Sequence, residues 1–447
     1  MRVRARLFLG IFAASTGLMG FNVGCGARTD FAELDPVVVG TNEAGADAKV
    51  DAKDSGTPDA HVPQGKRCVR NANDPLPVPF QIPPNAPKPA FPRPPQLQFQ
   101  GGPTLQRATF IPITYDADEY RNDIEDFVAS VGCTDYWRAA MNDYGVGDAV
   151  SGTPIHLSEA APQKITNDQI GQWLRKNIES KTFPDLPDVL YAVFYPQDTL
   201  VTLDGERSCE TFGAYHYEVE LTNGTKRAYA VMPRCSGFGN LSDLEELTSS
   251  SSHEFVEAAS DPFPLTEPGW VEPDLGGYGW GLIAGDENAD MCSFEEDSYF
   301  QPANYPFTVA RSWSNSQVFK GLDPCAPAPT GDYFGGALLL TDQVTIDIGN
   351  GPVKATGVKV AVGQTTTVKV RAFGGAGNMT FSAVDYGQAL GQGKTLDLSL
   401  DKPNGSDGDV LTLTIHRTGS GPYGFTPFAI RASKQGREKH WYAIVGD

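Results

Sequence analysis

The chain has 447 residues, 40% of them apolar and 10% aromatic, with a formal net charge of −20 and a pI near 4.7. That acidity excludes nucleic acid as a partner, because phosphates need a basic face. It suits a soluble protein that is secreted or held at a surface, and the length allows two or three domains.

The first 25 residues read as an export signal. Arg2, Arg4 and Arg6 precede a short apolar run from Leu7 to Phe21. Val23-Gly24-Cys25 then resembles the cleavage box of bacterial lipoproteins, which makes Cys25 the candidate lipid-bearing residue. Asn22 stands where that box usually has leucine, so cleavage by ordinary signal peptidase, or an uncleaved anchor, is the alternative. No later run is apolar and long enough to span a membrane, so beyond this segment the sequence offers no membrane association other than the lipid. The expected location is the bacterial cell envelope.

Seven cysteines are present, and setting Cys25 aside leaves Cys68, Cys133, Cys209, Cys235, Cys292 and Cys325. An even set without C-x-x-C spacing points to three structural disulfides in an oxidising compartment. Proximity suggests Cys209–Cys235 and Cys292–Cys325, although connectivity cannot be read from sequence.

Residues 26–107 read as an acidic, proline-rich tether. Asp47, Asp51, Asp54 and Asp59 are followed by a proline-dense run from Pro75 to Pro95, a composition that buries too little apolar surface to fold. Cys68 is the one residue there expected to pin the tether to the neighbouring domain.

Residues 108–328 read as an α+β domain. Thr109–Thr114 is a strand whose Pro112 suggests an edge position. Helices are expected over 116–131, 136–144, ending at Gly145, and 165–178. Val189–Tyr195 is an unbroken apolar run, hence a buried central strand. Asn223-Gly224 joins strands 217–222 and 227–232 in a hairpin, and 241–260 is a further helix. Residues 329–447 differ in texture. Period-two alternation at 358–362, 366–371, 395–400, 411–415 and 441–445 indicates an immunoglobulin-like β-sandwich. Asp401, Asn404, Asp407 and Asp409 match no calcium loop and read as solvated turns.

The chemistry concentrates in Ser252-His-Glu-Phe-Val-Glu-Ala-Ala-Ser-Asp-Pro262. Residues four apart share a helix face, so His253 and Glu257 can grip one metal ion with Glu254 beside them as a base. This is the zinc-protease pattern His-Glu-x-x-His with a carboxylate as second ligand. A third ligand is still needed. Glu287 and Asp290, in Gly285-Asp-Glu-Asn-Ala-Asp-Met-Cys292, are the nearby candidates, and His216 is a further ligand or a proton donor. Ser249–Ser252 lack a nucleophile-elbow context and read as ordinary helix residues. Trp270, Trp280 and Trp313 read as core aromatics rather than a substrate cleft.

Four pieces then occur in order: Cys209-Glu-Thr-Phe-Gly-Ala-Tyr-His216, Ala230-Val-Met-Pro-Arg-Cys235, Ser252 to Pro262, and Gly285 to Cys292. Asp135-Tyr-Trp137, Asn142 to Gly147 and Ala310 to Asn315 add softer matches. The set resembles bacterial secreted proteins related to the plant EXORDIUM family. The resemblance covers most of Thr109–Cys325, and the tether and the sandwich lie outside it. It implies a zincin-like domain. Peptidase activity is inferred for that group from the same motif, while its plant members are known mainly as cell-wall growth proteins.

The function expected from these residues is that of a surface-tethered zinc metallopeptidase acting on a peptide or protein. The alternative is a non-enzymatic envelope lipoprotein with a structural metal, whose sandwich binds a partner or a cell-wall or surface polysaccharide. A third, weaker reading is a transglycosylase or wall-modifying enzyme with Glu254 and Asp290 as paired carboxylates.

Overall fold

The computed structural model describes residues 64–71, 73–83, 91–237, 240–273, 277–347, 351–389, 393–421 and 423–447. Arg2, Arg4, Arg6, the lipid-acceptor candidate Cys25 and the acidic stretch from Asp47 to Asp59 lie outside them. Among the described residues no helix is long and apolar enough to cross a membrane.

A mixed sheet organises the first unit. It contains β1 (Thr109–Tyr115), the short β2 (Val150–Ser151) and β3 (Ile155–Leu157), β4 (Val189–Tyr195), β5 (Tyr215–Glu220) and β6 (Lys226–Pro233). β2 and β3 both lie on the outer side of β1, followed across the sheet by β4, β6 and β5. All neighbours are parallel except β5, which forms the far edge antiparallel to β6. Alternate side chains feed two cores. Phe110, Leu190, Ala192, Ala230 and Met232 meet α1 (Arg121–Ser130), α2 (Asp135–Met141) and α4 (Asp243–Ser260), while Ile111, Tyr191, Val193 and Val231 meet α3 (Asn167–Glu179). Burial on both faces is why β4 is apolar at every position.

Two expectations change. Pro112 suggests an edge strand, yet β1 lies inside the sheet. Thr109 N donates to Asp188 O on the β4 side, and Phe110 O accepts from Gly152 N on the other. The missing N–H of Pro112 therefore faces the gap between β2 and β3, where no strand needs it.

The second change concerns the expected tether. From Gln64 onward its described residues lie against the domain. Cys68 is bonded to Cys133, Leu97 and Leu105 are buried, and Gln98–Phe99 pair with Trp270–Val271. Proline-rich chain brings few backbone donors that need partners, so it can dock where a partner surface is shaped for it. Gly145 supplies such a surface: it is left-handed at φ 77°, and Pro79 comes within 2.7 Å of where a Cβ would stand.

Cys209–Cys235 and Cys292–Cys325 are also bonded, as their proximity suggests. The Cys68–Cys133 link closes a loop with a sequence separation of 65, which corresponds to about 4 kcal/mol in the chain-entropy account. A Cys68→Ser, Cys133→Ser chain should lose about that much in urea unfolding. An unchanged midpoint would mean that packing alone holds the segment.

The second unit is a β-sandwich. One sheet orders Gly335–Leu338, Thr365–Phe373, Val410–Arg417 and Leu396–Leu400. The other orders Asp342–Ile346, Val353–Lys359, Arg437–Gly446, Thr426–Lys434, Met379–Asp385 and Asn404–Gly405. Val370, Leu411, Leu413 and Ile415 from the first meet Phe381, Phe428, Ile430 and Ala432 from the second in one core, the two-sheet arrangement expected of an immunoglobulin-like domain. Asp401, Asp407 and Asp409 accept from the backbone N–H groups of Thr412, Gly374 and Ser406, and so act as turn caps.

The two units share a core through α5 (Tyr278–Ile283). Trp280 packs with ring centroids 5.5 Å from Trp313, 5.7 Å from Trp441 and 5.0 Å from Tyr442. Gly279 permits the approach, since a Cβ there would stand 2.6 Å from Ala443 Cα. Trp270, Trp280 and Trp313 are all buried.

Candidate metal centre

The helix that carries the motif starts at Asp243, two residues later than expected. Ser242 caps α4 in a capping box with Glu245. From Glu246 to Ser260 nearly every residue is buried, so this is a central helix rather than an amphipathic one. The serines make that possible. Ser249, Ser251, Ser252 and Ser260 donate to carbonyls three or four residues back and satisfy their own hydroxyls within the helix. Ser252 Oγ also accepts from Ala310 N, a structural use that leaves no nucleophile to assign.

One turn apart, His253 and Glu257 face the same way, with Nε2 3.0 Å from Oε1. The acidic loop comes to them. Asp290 Oδ1 is 3.3 Å from His253 Nε2, and Asp290 N donates to Glu257 Oε1 at 3.0 Å. Asn288 fastens that loop to the helix by donating to Ser260 Oγ at 3.0 Å, and the Cys292–Cys325 bond holds its end.

His216 arrives from the edge strand β5. It is the cross-strand partner of Ala230, whose methyl lies in the core beneath α4, so the pleat turns the imidazole toward the helix. Its Nδ1 lies 3.3 Å from Glu254 Oε2 and 3.6 Å from Glu257 Oε2. Its Nε2 lies 3.1 Å from Asp261 O and 3.3 Å from Glu287 Oε1.

All the candidate residues therefore meet, with a division of labour that the sequence leaves open. Asp290 joins His253 and Glu257, whereas Glu287 faces His216. Asp261 is the participant that spacing overlooks: its carbonyl faces His216, and its carboxylate accepts from Gly269 N at 2.8 Å. The signal for it was the Asp-Pro that closes the motif.

His253, Glu254, Glu257, Glu287, Asp290 and His216 are all buried, with Glu254 at 0% exposure. Burial lowers the affinity of both imidazoles for a proton, but the carboxylates outweigh it. Glu287, Glu254 and Glu257 hold His216, and Glu257 and Asp290 hold His253, well above the usual histidine range. Burial pushes Glu257 up, yet His253 and His216 together draw it down to about 2. Glu254 and Asp290 are pushed up by burial, and Glu287 is raised to about 7 by the same cause.

His253 Nε2, Glu257 Oε1 and Asp290 Oδ1 fit a divalent cation. Candidate ligand atoms of these three residues all lie within 4.8 Å of one another. Neither ring nitrogen of His253 makes a hydrogen bond, and Glu257 Oε2 makes none. Buried polar atoms left in that state are costly unless a charge satisfies them. A histidine with two carboxylates is a sound donor set for zinc.

No family model matches the chain, and no curated protein matches it. Solved structures with local likeness include a titin I-band fragment, I67–I69, at 17% identity and TM-score 0.16, covering 27% of this chain and 33% of that one. Titin domain M3 is 18% identical over 20% of this chain and 85% of its own, with TM-score 0.15. Titin domain M7 is 17% identical over 24% of this chain and 95% of its own, with TM-score 0.14. At such TM-scores they carry no argument about this chain.

Proposed function

We propose that the chain is an exported, surface-tethered metalloprotein of the zinc-metallopeptidase kind, with a zincin-like first unit and Cys25 as its lipid anchor. The observation that carries the reading is the convergence of His253, Glu257 and Asp290 within ligand distance of one another. These three would hold Zn²⁺, which when bound polarises a peptide carbonyl. Glu254, one residue along the same helix, takes the proton from the attacking water. His216 lies beside the Glu254 carboxylate, its Nδ1 3.3 Å from Oε2.

A second reading is favoured by one observation: Glu254 is fully buried. A base that no substrate reaches suits a structural metal in a non-enzymatic envelope lipoprotein, whose sandwich binds a partner or surface polymer. The transglycosylase or wall-modifying reading is weaker, because Glu254 and Asp290 face different histidines and both are buried.

Metal content of the full chain by elemental mass spectrometry tests the common ground, with His253→Ala as the control. Bound zinc that the variant loses supports both metal readings. A metal-free chain that stays folded and takes up no added zinc rules out both. Glu254→Gln then divides them. If cleavage of a peptide library disappears while zinc remains at the His253 position, the chain is a peptidase. If the wild type cleaves nothing, the metal is structural.

A further inference from the structure

Two triads converge here rather than one. Ligand atoms of His216, Glu254 and Glu257 also lie within 4.8 Å of one another. Glu257 belongs to both triads and divides its oxygens between them, Oε1 lying 3.0 Å from His253 Nε2 and Oε2 3.6 Å from His216 Nδ1. We propose that the centre binds a pair of divalent cations bridged by the Glu257 carboxylate. His253 and Asp290 complete the first position, and His216 and Glu254 the second. This rests on the metal-binding part of the preceding reading, and at the second position Glu254 is a ligand rather than a base.

The tautomer of His216 is the first support. Its Nε2 sits 3.1 Å from the carbonyl oxygen of Asp261 and 3.3 Å from Glu287 Oε1, both acceptors, so with a cation at Nδ1 the ring proton stands on Nε2. A neutral ring then aims the Nδ1 lone pair at Glu254 Oε2 and Glu257 Oε2, 3.3 and 3.6 Å away. Three acceptors facing one another in a buried site repel unless positive charge lies between them. A backbone carbonyl that orients the far nitrogen of a histidine is also the usual outer-shell arrangement at a metal. Tetrahedral ligands at about 2.0–2.2 Å from an ion stand about 3.3–3.6 Å apart, which matches both separations.

Unsatisfied atoms give independent support. Glu254 Oε1 and Glu287 Oε2 are buried and have no hydrogen-bond partner, and their residues are only 0% and 2% exposed. Charge points the same way. Glu254, Glu257, Asp261, Glu287 and Asp290 are five buried carboxylates in one cluster. So many buried carboxylates in one place call for positive charge among them.

The competing account places an imidazolium at His216, with Nδ1–H donating to Glu254 and no second ion. Loading the full chain with Mn²⁺ alone separates the two accounts. Two bound ions per chain and an exchange-coupled electron paramagnetic resonance spectrum are expected. His216→Ala should retain one ion with an uncoupled six-line spectrum, and Asp290→Asn should also retain one. A wild type that saturates at one uncoupled ion overturns the bridged pair while leaving the single-metal reading intact. No binding of Mn²⁺, with none of Zn²⁺ in a parallel loading, overturns both. The wild-type spectrum decides the matter even if His216→Ala fails to fold.

Discussion

Glu257→Ala empties the buried centre. Glu257 pairs with both histidines, so its loss should remove all bound cation, whereas changing His216 or Asp290 removes part. The stability consequence comes from linkage. A ligand present at a thousand-fold excess over its dissociation constant stabilises the native state by about 4 kcal/mol. Stripping the wild type with a chelator should lower its unfolding midpoint by a corresponding amount, and the same chelator should leave Glu257→Ala where it was. The variant also removes a buried carboxylate whose low proton affinity depends on His253 and His216. Near-UV circular dichroism before and after chelation distinguishes loss of metal from loss of fold. A variant that kept its full metal content, or a wild type indifferent to chelation, would refute the assignment of Glu257.

Trp280→Ala separates the two units. The side chain is 3% exposed and packs on Trp313 from the first unit and on Trp441 and Tyr442 from the sandwich. Truncating a buried tryptophan costs about 3–5 kcal/mol through lost transfer energy and the cavity left behind. Its edge-to-face contacts add about 0.5–1.5 kcal/mol each. Gly279 also lets α5 lie against the backbone of Ala443, so the helix that carries Trp280 is central to the contact. Chemical unfolding should therefore shift from one cooperative transition to two, with the sandwich released intact by limited proteolysis after Cys325. A single transition at an unchanged midpoint would show that the units are joined mainly elsewhere, for instance through Lys439, which pairs with Glu295 and Asp323.

Much of the fold was legible because it rests on local chemistry. β4 appears at the residues where the apolar run stands, and the hairpin turns at Gly224, which is left-handed at φ 81°. α4 ends at Ser260 as expected and begins at Asp243, two residues later than expected, after the Ser242 cap. Strands such as Thr426–Lys434 were missed because burial hides their alternation, and Pro427 argues against a strand by propensity alone. The tether was misjudged for a related reason. Composition measures whether a segment can build its own core, not whether another surface will accept it. Leu97 and Leu105 are buried by the neighbouring domain.

For the candidate site, the sequence by itself determined the pair on the helix, because the separation of His253 and Glu257 is a property of helical geometry. It also determined the supply of carboxylates downstream and the even set of cysteines that could hold them. Only the tertiary structure decided which carboxylate meets which histidine. Asp290 joins His253 because Asn288 and Cys292 fix the loop against α4, and His216 joins Glu254 because the pleat of an antiparallel edge strand turns it inward. Those contacts join residues 33 to 45 positions apart. No local periodicity encodes such pairings, since the packing of sheet, helix and loop around a common core sets them.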